Sequence, residues 1–231
     1  MKMRSKRYKK ALTLVNRDAL YKLREAVGIL KQFPRVKFDE TIDLNFKLGI
    51  DPAQTDQNVR FAVNLPHGTG KSLKVLCFCK GEDAKGAEAA GADYVGAEEL
   101  VQKVSDGWLD FDVIIAHPDM MKHVSKLGRV LGPKGLMPSP KAGTVTAEIG
   151  KAVKEIKRGK IELKNDKTAG VHIGIGKLSF DDKAILENAQ TIVKVLLQHK
   201  PSSSRGDFIR RAAISTSQGP GIRLDVTALL N

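Results

Sequence analysis

"NLPHGTGKSLKVLCFC", residues 64–79, admits two readings that lead to two different folds. A phosphate-binding loop needs Gly, four free positions and then Gly-Lys-Ser/Thr at the opening of a helix, so that backbone amides converge on the phosphates. Gly70, Lys71 and Ser72 supply the tail of that pattern, but Leu65 stands where the first glycine belongs. The residues that follow, Leu73, Val75, Leu76, Cys77, Phe78 and Cys79, make a short apolar run that reads as a buried strand, not a helix. A nucleotide hydrolase using residues 67–72 is therefore the alternative, and a joint between two folding units is the reading adopted.

Downstream of the joint the chain alternates short apolar runs with helical patterns. "KVLCFC" is followed by the Ala/Glu-rich "EDAKGAEAAGA", then "DYVG", "AEELVQKV", "FDVIIAHP" and "DMMKHVSKLG". That succession predicts βαβ units on a parallel sheet. A helix over about 146–158 places Ile149, Val153 and Ile156 on one side. The region is expected to be a Rossmann-like three-layer α/β/α domain.

The flanks have a different grammar. "TIDLNFKLGI" alternates Ile42, Leu44, Phe46 and Leu48, and "NVRFAVNL" alternates Val59, Phe61, Val63 and Leu65, each a strand with one wet face. "KIELKNDKTAGVHIGIG" carries Ile161 and Leu163, a polar turn, then Val171, Ile173 and Ile175, and reads as a hairpin. "AAISTSQGPGIRLDV" repeats that theme around Gly219, Pro220 and Gly221. Two amphipathic helices accompany the strands, one with Leu20, Leu23, Val27 and Leu30, the other with Ile185, Ala189, Ile192 and Leu196.

These flanks predict one α+β domain assembled from both chain ends, residues 1–67 with 159–231, around an inserted domain of residues 68–158. The terminal domain is a split-chain antiparallel sheet of about four strands with two helices on one face. The chain then crosses between domains twice, and Gly68, Gly70 and Gly159 suit the two crossings to act as a hinge.

Charge separates the domains further. The chain of 231 residues has a net charge of +13, of which the two-ended part holds +11 (25 basic against 14 acidic side chains) and the insert +2 (14 against 12). Such a surplus points to a polyanion, with its main contact on the terminal domain. No run approaches the roughly 20 apolar residues of a membrane span, and the start "MKMRSKRYKK" reads as a basic arm and not as a secretory signal. Cys77 and Cys79 face one side of a strand and cannot supply a four-ligand metal site; core thiols in a reducing cytosol are expected, with no metal and no cofactor.

Aromatic residues are 5% of the chain, too few for base-stacking platforms, which favours recognition of structured RNA through phosphates, sugars and shape. Two stretches look suited to it. "RVKFDET", residues 35–41, packs Arg35, Lys37, Phe38 and Thr41 before a strand. "STSQGPG", residues 215–221, gathers Ser215, Thr216, Ser217, Gln218 and Gly219 where bare backbone can approach a sugar edge. In the insert, "GRVLGPKGLMPSPKAGTV", residues 128–145, has enough Gly and Pro to predict an irregular surface loop. Arg129, Lys134 and Lys141 there are candidates for a secondary RNA contact.

Taken in order and spacing, "KFDET", "DQNVR", "LPHGTGK", "AGADYVG", "DGWLDFDVIIAHPDMM", "KLGRVLGPKGLMPSPKAGTV", "NDKT" and the turn ending "GPG" resemble the bacterial L-one family of large-subunit ribosomal proteins. The resemblance covers nearly the whole chain. It implies a non-enzymatic, cytoplasmic protein, monomeric outside the ribosome, that binds large-subunit rRNA at the mobile stalk. It further implies help in releasing deacylated tRNA from the exit site and repression of its own operon through the mRNA. By position it adds Asp166, Lys167, Thr168 and His172 to Lys37, Phe38, Thr41 and the 215–221 turn. One departure stands out: the family usually shows Thr-Thr-Met-Gly where this chain has Thr216, Ser217, Gln218 and Gly219, so Gln218 is expected to offer RNA a hydrogen bond in place of an apolar contact.

Overall fold

The computed structural model describes residues 4–230 apart from Arg205; residues 1–3, the start of the basic arm, lie outside the described residues. In chain order the elements of the first half are α1 (Lys6–Thr13), α2 (Leu23–Lys31), β1 (Thr41–Leu48), β2 (Arg60–Asn64), β3 (Val75–Phe78), α3 (Glu82–Ala89), β4 (Tyr94–Gly96), α4 (Glu98–Ser105) and β5 (Val113–Ala116). The second half adds α5 (Met121–Val124), α6 (Gly128–Lys134), α7 (Ile149–Lys157), β6 (Lys160–Lys164), β7 (Gly170–Lys177), α8 (Asp182–Gln198), β8 (Ile209–Thr216), β9 (Ile222–Leu224) and α9 (Val226–Leu230). They fall into two compact units, residues 1–70 with 163–231, and residues 71–162.

The first unit is built on a four-stranded antiparallel sheet in the order β7-β1-β8-β9. Alternation decides its sidedness: Ile42, Leu44, Phe46 and Leu48 of β1 are all within 2% of full burial, while the residues between them are not buried. Helices α2 and α8 cover the inner face, sinking Val27 and Leu30 from one and Ile185, Ala189, Ile192 and Leu196 from the other. Leu20, expected in the first of those stripes, precedes α2 and is 65% exposed. Its side chain lies outside the helical register that would carry it inward.

The expected hairpin of residues 160–175 does not form as such. Strand β6 pairs with β2 in a separate two-stranded sheet, while β7 pairs with β1, and a single bridge, Asn165 to Val171, joins the two segments. The turn between them is tight, but β7 carries the Val171–Ile173–Ile175 stripe that matches β1, and β6 buries only Leu163 fully. Matching apolar faces outweighs sequence proximity.

Asn188 of α8 is wholly buried and bridges three backbone groups: its side-chain oxygen accepts from His67 N (3.1 Å), and its amide donates to Gly68 O (2.9 Å) and Ile175 O (2.8 Å). The chain leaving this unit is thus tethered as far as Gly68. Gly68, Gly70 and Gly159 adopt φ of 64°, 70° and 111°, values that L side chains resist. The division falls at 70/71 and 162/163, against the expected 67/68 and 158/159, because the Asn188 clamp and the β6 strand extend each unit past its glycines.

The second unit is a three-stranded parallel sheet, β4-β3-β5, with helices on both faces. Strand β3 is central and every one of its residues is buried, as a strand covered on both sides requires. Val75, Cys77 and Cys79 pack with Ile149, Val153 and Ile156 under α7, while Leu76 and Phe78 pack with Leu100, Val104, Val124 and Leu131 under α4, α5 and α6. Burial pushes the Cys77 thiol up to about 12 and that of Cys79 up to about 11. At pH 8 a disulfide-exchange thiol reagent is expected to label neither cysteine in the native chain and both once urea unfolds it. Rapid labelling of the native protein would contradict this core.

Residues 128–145 are not an open loop. They form α6 and a single turn at Pro140–Ala142, with Leu131 wholly buried and Ala142 4% exposed. Pro133 sits in the last turn of α6 and Gly135 closes it at φ 71°. Apolar residues between the glycines and prolines, Leu131 with Leu136 and Met137, dock this segment on the sheet's core.

Candidate nucleic-acid interface

Helices occupy one face of the four-stranded sheet, and the other face is open. Its side chains follow from the register as four transverse rows. At one end Thr41 lies opposite Lys177, with Ser217 N donating to Thr41 O; next come Gly174, Asp43 and Ser215; then His172, Asn45, Ala213 and Arg223; finally Gly170, Lys47 and Arg211. From Thr41 to Lys47 the face runs about 20 Å at the rise of an extended strand. Glycine and alanine in its middle keep it low, and Lys47, Arg211 and Arg223 gather on the floor of a 640 Å³ hollow that also takes in Asn45 and His172.

The predicted residues distribute over this face unevenly. The 37–41 and 215–221 stretches converge at one end: Ser217 Oγ accepts from Thr41 N (3.1 Å), and Glu40, 1% exposed, accepts from Gln218 N (2.8 Å). Lys37 is exposed, and Phe38 offers 52% of its surface beside them. Ser215 and Ser217 face outward, but Thr216, being the alternate residue of β8, points into the core and is 3% exposed. Its hydroxyl is not presented to a ligand. Gln218 is committed within the fold: Arg7 Nη2 donates to its side-chain oxygen (3.1 Å) and its backbone oxygen (2.9 Å).

The 166–172 group lies at the far end of the sheet. Asp166 Oδ1 accepts from Thr168 N (2.7 Å), Thr168 Oγ1 (2.8 Å) and Gly170 N (2.7 Å), so this carboxylate organises the turn that presents exposed Lys167 and Thr168. His172 Nδ1 bonds Asn45 Oδ1 at 2.7 Å. The bond from Gly170 N, then those from Thr168, hold the Asp166 acid down to about 2. A carboxylate with a depressed folded value stabilises above its unfolded value, near 3.8, and that contribution is lost as pH falls through about 2. Asp166→Asn is therefore expected to be less stable than the parent at pH 7, with the gap closing between pH 4 and 2 in urea titrations. A gap that does not narrow in that window would contradict this assignment.

Sequence reasoning missed Lys47, Arg211 and Arg223. The signal was present, since the polar positions of an alternating strand define its wet face as firmly as the apolar ones define the core. In the second unit Arg129 and Lys134 are exposed on α6 and Lys141 on the turn after it, on a different unit from the sheet face.

Gly219 has a steric role. A Cβ there would stand 2.4 Å from Thr216 Oγ1 and 3.0 Å from the buried Phe33 ring. Gly219→Ala is expected to cost about 1–3 kcal/mol by overpacking, read from urea midpoints at constant slope. The phosphate-loop alternative fails on geometry: residues 67–72 are followed by strand β3 where the motif needs a helix, and His67 and Gly68 are bonded to Asn188.

Fold and face together define a basic two-unit α/β protein that displays a cationic sheet face. The chain belongs to the ribosomal protein L1p/L10e family, whose model matches residues 30–220. It is 52% identical over 225 residues to the large ribosomal subunit protein uL1 of Kosmotoga olearia, with 97% of each chain covered. Family membership makes it a structural protein of the large ribosomal subunit, of the bacterial type and cytoplasmic; among the described residues no helix is long and apolar enough to cross a membrane.

Proposed function

We propose that the chain binds large-subunit rRNA through the open sheet face of its two-ended unit and the turns at both ends of it. The carrying observation is that Lys47, Arg211 and Arg223 converge on this uncovered face of the unit that holds nearly all the net charge. Phosphates lie over the cations, while Lys37, Phe38, Thr41, Ser215, Ser217 and Gly219 meet sugar edges at one end and Lys167, Thr168 and His172 at the other. Asp166 and Thr216 serve this contact by shaping turns. Arg129, Lys134 and Lys141 of the insert supply a secondary contact, and Gly68, Gly70 and Gly159 act as the hinge between an RNA-binding domain and the inserted domain.

On this reading the RNA is the mobile stalk of the subunit, the protein assists release of deacylated tRNA from the exit site, and the same face represses the protein's own operon by gripping a similar mRNA element. The protein is a monomer outside the ribosome. The resemblance of the motifs supports these finer roles, and the cationic face supports the RNA class.

The test is binding of the intact chain to a stalk fragment of large-subunit rRNA across ionic strength. Log affinity should fall by about 0.7–0.9 per neutralised phosphate for each decade of salt, a total of at least about 2. Tight binding indifferent to salt would sink the reading. A translation reporter behind the operon's own leader checks repression independently.

A further inference from the structure

Arg7 lies 211 residues from Gln218 in sequence, yet its Nη2 donates to both oxygens of that residue, at 2.9 Å to the backbone carbonyl and 3.1 Å to the side-chain amide. From the other side Glu40 accepts from Gln218 N (2.8 Å), and Ser217 Oγ accepts from Thr41 N (3.1 Å). The turn at Ser217–Gly219 is therefore held by groups from two separate segments, Arg7 of α1 and Glu40–Thr41. Helix α1, which carries Arg7, is itself seated by Ala11, wholly buried, and is capped by Ser5, whose Oγ accepts from Tyr8 N (3.2 Å).

A second observation singles out the same place. Among the described residues, the buried side-chain polar atoms without a hydrogen-bond partner are Arg7 Nη1, Glu40 Oε2 and Thr216 Oγ1. Arg7 and Glu40 bond Gln218, and Thr216, the last residue of β8, accepts from Gly219 N across the turn. Buried orphans cost stability, and native folds hold only a few, so their gathering around one short turn singles that turn out.

We propose that Arg7 is a positioning residue for the RNA contact, setting the Ser217–Gly219 turn through Gln218 without itself touching RNA. The inference rests on the proposed function. Arg7 is unsuited to being a phosphate contact: Nη2 is committed to Gln218 and Nη1 is buried. The guanidinium fork is what the geometry uses, since two acceptors on one residue are spanned from one planar group, which an ammonium does not reproduce.

The experiment compares the intact chain with Arg7→Lys, Arg7→Met, Gln218→Ala and the Arg7→Lys/Gln218→Ala pair, using a transcript of large-subunit rRNA as probe. Affinities are referred to the folded fraction given by circular-dichroism melts. Arg7→Lys keeps the charge and should still weaken binding on the order of tenfold, the scale expected when a contact group loses its alignment. Its salt slope should equal the parent's, and the loss should be clearly smaller on the Gln218→Ala background. Parent-like affinity of Arg7→Lys overturns the inference and leaves the RNA reading intact. A drop in slope of about 0.7–0.9 for Arg7→Met makes Arg7 a phosphate contact and also overturns it. A parent chain that ignores the transcript defeats the RNA reading first, and this inference with it.

Discussion

Replacing Lys47, Arg211 and Arg223 together by alanine should cut the affinity of the intact chain for large-subunit rRNA by at least about a hundredfold near 0.1 M salt and lower the salt slope by about 2–3. The same substitution at Arg129, Lys134 and Lys141 should cost less than a tenth of that. Each cation of the first set stands on the open sheet face, where Lys47 Nζ donates to Thr168 O and Asp43 and Asp225 are the acidic groups nearby. Stability should move the other way. Lys47 and Arg211 are directly paired across β1 and β8, a like-charge arrangement that costs a few tenths to about 1 kcal/mol. Relieving it should leave the variant as stable as the parent or slightly more so. A variant that loses binding only because it unfolds, or an insert triple that loses as much, would show the face to be misassigned.

Asn188→Ala should destabilise the two-ended unit by about 3 kcal/mol or more. The substitution leaves His67 N, Gly68 O and Ile175 O without the partner that α8 supplied, and the last of these lies in the core, where an unmade bond costs about 1–3 kcal/mol. Urea unfolding gives the magnitude. Hydrogen exchange gives the location: amides at 67 and 173–177 should lose protection, while β3 and β5 keep theirs. Uniform loss in both units would mean that they unfold as one, and a change under 1 kcal/mol would mean that water replaces the amide without penalty. RNA affinity measured below the unfolding transition should be nearly unchanged, because the clamp lies on the covered side of the sheet.

Much of this was legible in the residues. The Leu73–Cys79 run announced a central buried strand, and Ile42 through Leu48 and Val171 through Ile175 announced strands with one dry face, because burial on one side or on both leaves a distinct period in the chain. The uneven charge between the two-ended part and the insert was countable before any coordinate. What was misread shares one cause. The glycines and prolines of residues 128–145 argue for an open loop, yet Leu131, Leu136 and Met137 gain more from docking on the parallel sheet than the segment loses by forming a short helix. Residues 160–175 were judged by nearness, yet β6 and β7 found partners elsewhere.

By itself the sequence determined which side of each strand is dry, that the chain ends share one unit around an insert of a different class, and that this unit is the cationic one. These are local or additive properties: periodicity and charge survive in a list of residues. The tertiary structure alone decided that β1 rather than β6 flanks β7, and that Arg7, Glu40 and Gln218 meet at one turn. A side chain's period says which way it faces, whereas its partner is chosen by competition among all matching surfaces at once, and only the folded chain records the outcome.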